Sequence, residues 1–222
     1  MKLWDWPDGL VWKLTRGITE RSRKKKYDLF YTLIKPNPAD TILDVGVNPH
    51  VGRSMNFLEL WYPYLDKITA VTAHGEEMFV NFRKAFPEVK LVFGDGRRLD
   101  FKDDQFDIVF SNAVVEHVGN EEQQRQFIHE LVRVGRRAFI TTPNYFFPVD
   151  AHTLLPFAHW LPERPRFFIY RKARREYWAD INHLNLLTPS GFLSLFPKGV
   201  NVRIVYQRLM GLPVSMIAVV TK

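Results

Sequence analysis

TILDVGVNPHVG, Thr41 to Gly52, is the stretch whose reading decides the fold. Thr41, Ile42, Leu43 and Val45 form a short, mostly apolar and partly β-branched run, which suits a buried parallel strand. The run stops at a turn holding Gly46, Asn48 and Pro49. In an open α/β sheet ligands sit beyond the carboxyl ends of the strands, and a tight turn after the first strand lets backbone approach a small molecule closely. Asp44 supplies a charge near that end. Taken alone, the stretch is equally compatible with an ordinary strand-to-helix loop.

The surrounding chain repeats the unit. Upstream, Tyr27, Leu29, Phe30, Leu33 and Ile34 have amphipathic helical spacing, ended by Pro36 and Pro38. Downstream, Met55, Phe57, Leu58, Leu60 and Trp61 predict a helix stopping before Pro63. Strands are expected at 67–73, 89–93, 106–110 and 138–141, with helices at 76–86 and 121–134 between them, Gly135 serving as the stop of the latter. A short helix at 189–196 precedes strands at 200–206 and 214–221, joined through Gly211 and Pro213. The fold class is therefore α/β: a doubly wound, mostly parallel, seven-stranded sheet with an antiparallel strand pair at one edge. Residues 1–39 read as a basic and aromatic helical segment, 40–222 as the main domain, and about 144–187 as an irregular insertion of the kind that carries function.

Composition narrows the partners. The 222 residues are 46% hydrophobic and 25% charged, enough for one compact domain. The lack of cysteine excludes a disulfide framework, a thiolate metal site and a cysteine nucleophile, and fits a reducing, cytoplasmic setting. The N-terminus, with Asp5, Asp8, Trp4 and Trp6, lacks the apolar run of a secretory signal. No stretch reaches the roughly 20 apolar residues of a membrane span. A net charge of +7 and a pI near 9.6 favour anionic partners without selecting one.

Four motifs in register carry a resemblance: ILDVG at Ile42 to Gly46, GDGRRLDF at Gly94 to Phe101, FDIVFSNAVVEHV at Phe106 to Val118, and ITTPN at Ile140 to Asn144. Together they resemble the class I S-adenosylmethionine-dependent methyltransferases of the small-molecule type, over residues 40 to 145. The resemblance implies a Rossmann-like fold, S-adenosyl-L-methionine as cofactor, and an enzyme that methylates an acceptor. It implies that Asp44, Gly46, Val47 and Asn48 line the methionine portion, that Asp95 and Gly96 meet the adenine, and that Ser111 and Asn112 lie against the sulfonium end.

Two departures stand out. Asn48 occupies a position where the family usually has glycine; asparagine tolerates a left-handed backbone, which would preserve the turn. The second strand ends in Thr72 and Ala73 where an acidic residue usually binds the ribose, so Glu76 or Glu77 would have to fold back. Asp107 reads as a structural carboxylate, and Met55 and Met78 as core.

Tyr145, Phe146, Phe147, Asp150, His152, His159 and Trp160 leave the sheet at its ligand-binding edge, where acceptor choice belongs. Methylating a hydroxyl requires removing its proton, and Asp150 or His152 is the expected base, with His117 a further catalytic candidate. His152, His159 and His183 match no compact ligand spacing, so no metal site is expected. Arg164, Arg166, Arg171, Lys172, Arg174 and Arg175 alternate with aromatics, which suits either a solvated helix face or a platform on an anionic membrane, aided by the N-terminal tryptophans and the run Arg21 to Lys26. RNA ranks below the lipid surface, because no RNA-binding module accompanies the fold. The expected function is methyl transfer to an oxygen, before nitrogen, of a small-molecule or lipid-linked acceptor. The opposing reading is a non-catalytic methyltransferase-like protein with a basic interaction surface; a nicotinamide dehydrogenase lacks the glycine spacing for a pyrophosphate.

Overall fold

The computed structural model describes residues 10–51 and 55–222, with side chains from residue 17 onward in the first segment. Trp4, Trp6, Gly52 and the side chain of Trp12 lie outside the described residues. Seven strands run β1 (Ile42–Val45), β2 (Ile68–Thr72), β3 (Lys90–Phe93), β4 (Phe106–Asn112), β5 (Gly135–Pro143), β6 (Asn201–Leu209) and β7 (Leu212–Thr221). Their order across the sheet is β3-β2-β1-β4-β5-β7-β6. The first five are parallel, whereas β7 is antiparallel to both β5 and β6. The sequence reading of a mostly parallel sheet with an antiparallel pair at one edge holds.

Side chains alternate between the two faces, as the pleat requires. Val109, Ala138, Ile140, Met216 and Ala218 face one way, against α4 (Glu121–Val134) and α6 (Pro189–Ser194), which contribute Phe127, Ile128, Leu131 and Phe192. Ile108, Phe110, Phe139, Ile217 and Val219 face the other way, against α1 (Leu10–Ile34), α2 (Phe57–Trp61) and α3 (Val80–Ala85). On that side Phe30 of α1 sits edge-on to Phe110 and Phe139, with ring centroids 5.3 and 5.6 Å away, and those two rings stack on each other. The N-terminal helix thus shares the core of the sheet.

Several boundaries differ from the sequence reading for local reasons. The expected 76–86 helix divides into a 3₁₀ turn, Glu76–Phe79, followed by α3. Asn120 opens α4 with a reciprocal capping box to Gln123. Gly135 does not end α4 in a left-handed conformation; its φ is −116° and it begins β5 directly. A Cβ there would come within 2.4 Å of Val109, so packing requires the glycine. Between β5 and α6, the 144–187 insertion contains α5 (Glu163–Lys172) and two 3₁₀ turns, Ala158–Trp160 and Glu176–Trp178. Asn144 makes an isolated parallel bridge to Leu187, which pins the insertion's two ends together at the edge of β5.

Phe30 is fully buried between two sheet rings. Phe30→Ala should lower unfolding free energy by about 3–5 kcal/mol, read as a reduced urea midpoint.

Candidate active site

The turn after β1 is fixed by backbone geometry. Gly46 has φ +102°, and a Cβ on it would fall 2.2 Å from Val114 in the loop after β4, so only glycine fits. Its amide donates to the Val71 carbonyl at 2.8 Å. Asn48 does not adopt the left-handed backbone expected of it; among the described residues of this turn only Gly46 has positive φ. Asn48 instead uses its side chain, accepting from the His50 amide at 2.9 Å in an Asx turn. Asn56, just before α2, accepts from the Asn48 amide and donates to its carbonyl, each at 2.9 Å. These bonds clip the turn to the start of α2. The result is a cleft of about 240 Å³ lined by Asp44, Gly46, Val47, Met55, Asn56, Phe57, Leu58, Phe110 and Asn112. Met55, read from sequence as core, is one of its walls.

Asp44 points to the α1/α2 side of β1, where Glu59 of α2 is also buried. Burial pushes the Asp44 carboxyl well up, and the neighbouring Glu59 charge pushes it further. Burial likewise raises Glu59, to about 7. The two carboxyls share a side-chain hydrogen bond. A carboxyl pair so placed is an attractive site for a cation.

Along the edge, Thr72 is buried at the end of β2, its hydroxyl accepting from the His74 amide at 3.3 Å. Glu76 is ion-paired with Arg83 of α3. Glu77 folds back over Gly75, its carboxylate filling the space a Cβ would occupy there. Asp95, half-exposed in the turn after β3, is held by the Arg97 guanidinium and amide at 2.7–3.0 Å, which keeps its carboxyl below the usual range. Gly96 is required sterically, because a Cβ would meet Phe127 at 2.5 Å. Asp107 is structural: its carboxylate accepts from the Thr41 amide and hydroxyl and from Arg136.

The end of β4 carries the densest polar cluster. Ser111 is buried and donates to the Val45 carbonyl at 2.9 Å, tying β4 to β1. Asn112 Oδ1 accepts from Thr141 Oγ1 at 2.8 Å and from Lys26 Nζ at 3.1 Å. Lys26 reaches this position from α1 and is buried, which lowers its pKa to about 8 against the pull of Glu116. Glu116, in the 3₁₀ turn Val115–His117, is fully buried; Oε2 accepts from Thr142 at 3.1 Å, whereas Oε1 has no partner.

The insertion brings Asp150 and His152 to the same place. Asp150 accepts from the Thr153 amide and hydroxyl, each at 2.8 Å, and from His152 Nδ1 at 2.8 Å. Burial would raise the Asp150 carboxyl, but these donors hold it well below the usual carboxylate range. Burial would lower His152, and the Asp150 bond and charge raise it overall. The His117 and His152 rings meet edge to face at 4.7 Å, and Trp178 packs against both. His117 Nδ1 donates to the His183 carbonyl at 2.7 Å, and burial lowers its pKa. All three sequence-stated catalytic candidates, Asp150, His152 and His117, therefore come together. His159 and His183 do not join them: His159 Nε2 donates to the Tyr145 carbonyl, and the His183 ring stacks on Tyr177.

A second cleft, of about 300 Å³, lies in the insertion between Tyr145, His159, Arg166, Tyr170, Leu184, Asn185 and Leu186. His159 Nδ1 and Arg166 Nε are buried there without partners. The Asn185 amide donates to the Glu116 carbonyl at 2.8 Å, so this cleft adjoins the cluster.

Sequence reasoning passed over Glu59, Lys26 and Glu116 as site residues. Glu59 stands inside the apolar run FLELW, and Lys26 is the last cation of a basic run, directly before the core-facing Tyr27. A charge placed on an apolar helical face was the available signal in both cases.

A sheet in this order, with a ligand cleft at the carboxyl ends of β1 and β4, defines the class I methyltransferase architecture. Residues 43–138 match the family model described as "Methyltransferase domain". Similar solved structures include the PH0226 protein of Pyrococcus horikoshii OT3, at 17% identity and TM-score 0.59, covering 90% of each chain. Magnesium protoporphyrin IX methyltransferase (ChlM) of Synechocystis PCC 6803, solved with bound SAH, has 14% identity and TM-score 0.59 over 98% of this chain and 90% of that one. The N-methyltransferase NodS of Bradyrhizobium japonicum WM9, in complex with S-adenosyl-L-homocysteine, has 13% identity and TM-score 0.56 over 89% and 85%. No curated protein sequence matches the chain. Residues 43–138 therefore match a methyltransferase domain, and the solved structures share its fold. The site suits S-adenosylmethionine: the glycine-only turn lets backbone approach a ligand, and Asp44 lines the cleft beside it.

Glu59 has a folded pKa of about 7, above its ordinary 4.5. Stability from its neutral form is complete below pH 4.5 and is lost as pH rises through about 7. Glu59→Gln cannot ionise, so it should flatten that decline and stabilise the ligand-free protein at pH 8 by on the order of 2 kcal/mol, measured by urea melts across pH.

Proposed function

We propose that the protein transfers the methyl group of S-adenosylmethionine to an oxygen of a small or lipid-linked acceptor. The observation that carries this reading is the convergence of His152, Asp150, His117 and Glu116 beside Asn112, at the carboxyl ends of β4 and β5. The cofactor supplies an electrophilic methyl carbon attached to a sulfonium, whose departing form is a neutral thioether. Asp44 and Glu59 would hold its cationic methionine end, with Gly46, Val47 and Asn48 as the adjoining backbone and Asn112 and Ser111 at the end of β4. Thr72, Glu77 and Asp95 would serve the ribose and adenine, and Glu76 is engaged by Arg83.

A hydroxyl must lose its proton as its oxygen attacks, whereas a neutral amine attacks first and loses its proton afterwards. The Asp150 bond to Nδ1 fixes the His152 tautomer that leaves Nε2 as a free acceptor. This arrangement suits removal of a hydroxyl proton and supports oxygen over nitrogen. The acceptor's body would occupy the adjoining insertion cleft, where Arg166 Nε offers a donor and His159 Nδ1 an acceptor.

Exposed aromatics around that insertion favour an acceptor with an apolar tail. Phe146, Phe157 and Phe168 are 57%, 54% and 60% exposed, and Lys172 lies over the Phe168 ring. Arg175 is not part of this surface, because it donates to the Thr153 carbonyl. Among the described residues no helix is long and apolar enough to cross a membrane.

Calorimetric titration should show S-adenosylmethionine and its demethylated product binding the full chain, and no heat from either at about 1 mM would refute the reading. In a tritiated-methyl assay on hydroxylated lipid extracts, His152→Asn should reduce kcat about 100-fold with cofactor affinity retained. Arg166→Met should instead raise the acceptor KM about tenfold, with little change in kcat.

A further inference from the structure

We propose that Glu116, His117 and His152 form a binding site for one divalent transition-metal cation at the acceptor end of the sheet. The inference rests on the methyl-transfer reading only for its purpose; the donor geometry stands independently. One ligand atom from each of the three residues lies within 4.8 Å of the other two. Three donors on a single cation at about 2.1 Å stand roughly 3 to 3.5 Å apart, so small side-chain rotations close the set. The residues come from different segments, a 3₁₀ turn after β4 and the insertion, which explains why linear spacing among histidines gave no sign of it.

The hydrogen bonds around the cluster prepare each donor. His117 Nδ1 donates to the His183 carbonyl, and His152 Nδ1 donates to Asp150. Both rings therefore keep Nε2 as the open lone pair, and a carbonyl or carboxylate behind a ligating imidazole is the usual outer partner in metal sites. Glu116 Oε2 is fixed by Thr142, while Oε1 is fully buried and has no hydrogen-bond partner. A buried carboxylate oxygen without a hydrogen-bond partner, on a residue clustered with two oriented imidazoles, is costly without a ligand. Lys26 does not satisfy it, since its ammonium bonds to Asn112. Trp178 packs against both rings and limits their rotation.

Two imidazoles and one carboxylate favour manganese, iron(II), cobalt or zinc over magnesium or calcium, which prefer an all-oxygen set. Three protein donors leave open positions for an acceptor oxygen. A cation there would polarise an acceptor hydroxyl, and with the cation bound His152 acts as ligand rather than base.

The test uses full-length protein stripped with EDTA and dialysed. Manganese binding is followed by loss of the free-ion EPR signal and zinc binding by calorimetry, with magnesium as the comparison. Wild type should bind one manganese or zinc per chain and bind magnesium at least tenfold more weakly. Glu116→Gln and His152→Asn should each lose at least tenfold in affinity, and Asp150→Asn about tenfold through the imidazole it orients. His129→Asn, on the exposed face of α4, should match wild type. Retained binding of S-adenosylhomocysteine by each variant shows that its fold survives. No saturable manganese or zinc binding by wild type at about 1 mM, or equal binding by the Glu116 and His152 variants, overturns the site. Methylation that continues unchanged in EDTA, with no metal bound, overturns the cation and leaves methyl transfer standing. Metal binding with no cofactor binding does the reverse.

Discussion

Burial of charge at one edge of the sheet is the constraint on which the structure depends. Asp44, Glu59, Lys26, Glu116 and Asp150 are all buried, and all lie toward the carboxyl ends of the parallel strands. Each such group costs several kcal/mol if left without compensation. The chain compensates unequally. Asp150 receives four donors, which hold its carboxyl below the usual range, whereas burial pushes the neighbouring Asp44 and Glu59 carboxyls up. Lys26 finds one acceptor in Asn112, and Glu116 keeps one oxygen open. The remaining deficit is concentrated where a cationic cofactor and an acceptor would enter.

The apolar framework makes that concentration tolerable. Two alternating faces of β4, β5 and β7 build separate helix-covered cores, and the Phe30–Phe110–Phe139 cluster closes one of them. Phe110 and Asn112 lie two residues apart on β4, so one strand supplies both a core ring and a site amide. Lys26 and Phe30, one helical turn apart on α1, repeat the pairing from the other side. Packing of the rings thereby sets the position of the polar groups above them.

The mostly parallel sheet and most strands were legible in the sequence because burial on both faces leaves dense runs such as FDIVF and VSMIAVV, and crossover helices separate them. The turn at Gly46 was legible from the motif, and its positive φ and tight approach to Val114 require glycine. Asn48 was read for the wrong property: its side-chain hydrogen bond, and not a left-handed backbone, shapes the turn. Glu59, Lys26 and Glu116 were missed because each belongs to a local pattern, a helix or a basic run, whose ordinary meaning is structural. Asp150 and His152 were legible as candidates from their place after β5, but their pairing with His117 depends on a fold-back of the insertion. That fold-back is fixed by backbone bonds, including Asn144 to Leu187 and Asn185 to Glu116, which have no sequence signature.

The contrast between Lys26 and Glu116 bears on the carboxylate oxygen left open at this edge. A direct ion pair between them would satisfy both groups and close the site, since a buried, well-aligned pair is costly to separate. The ammonium instead bonds to Asn112, on the same oxygen that accepts from Thr141. Glu116 raises the Lys26 pKa against its burial. Glu116 thus acts on Lys26 through space without occupying its hydrogen-bonding position. An open carboxylate oxygen clustered with two oriented imidazoles distinguishes this end of the sheet from a merely polar rim.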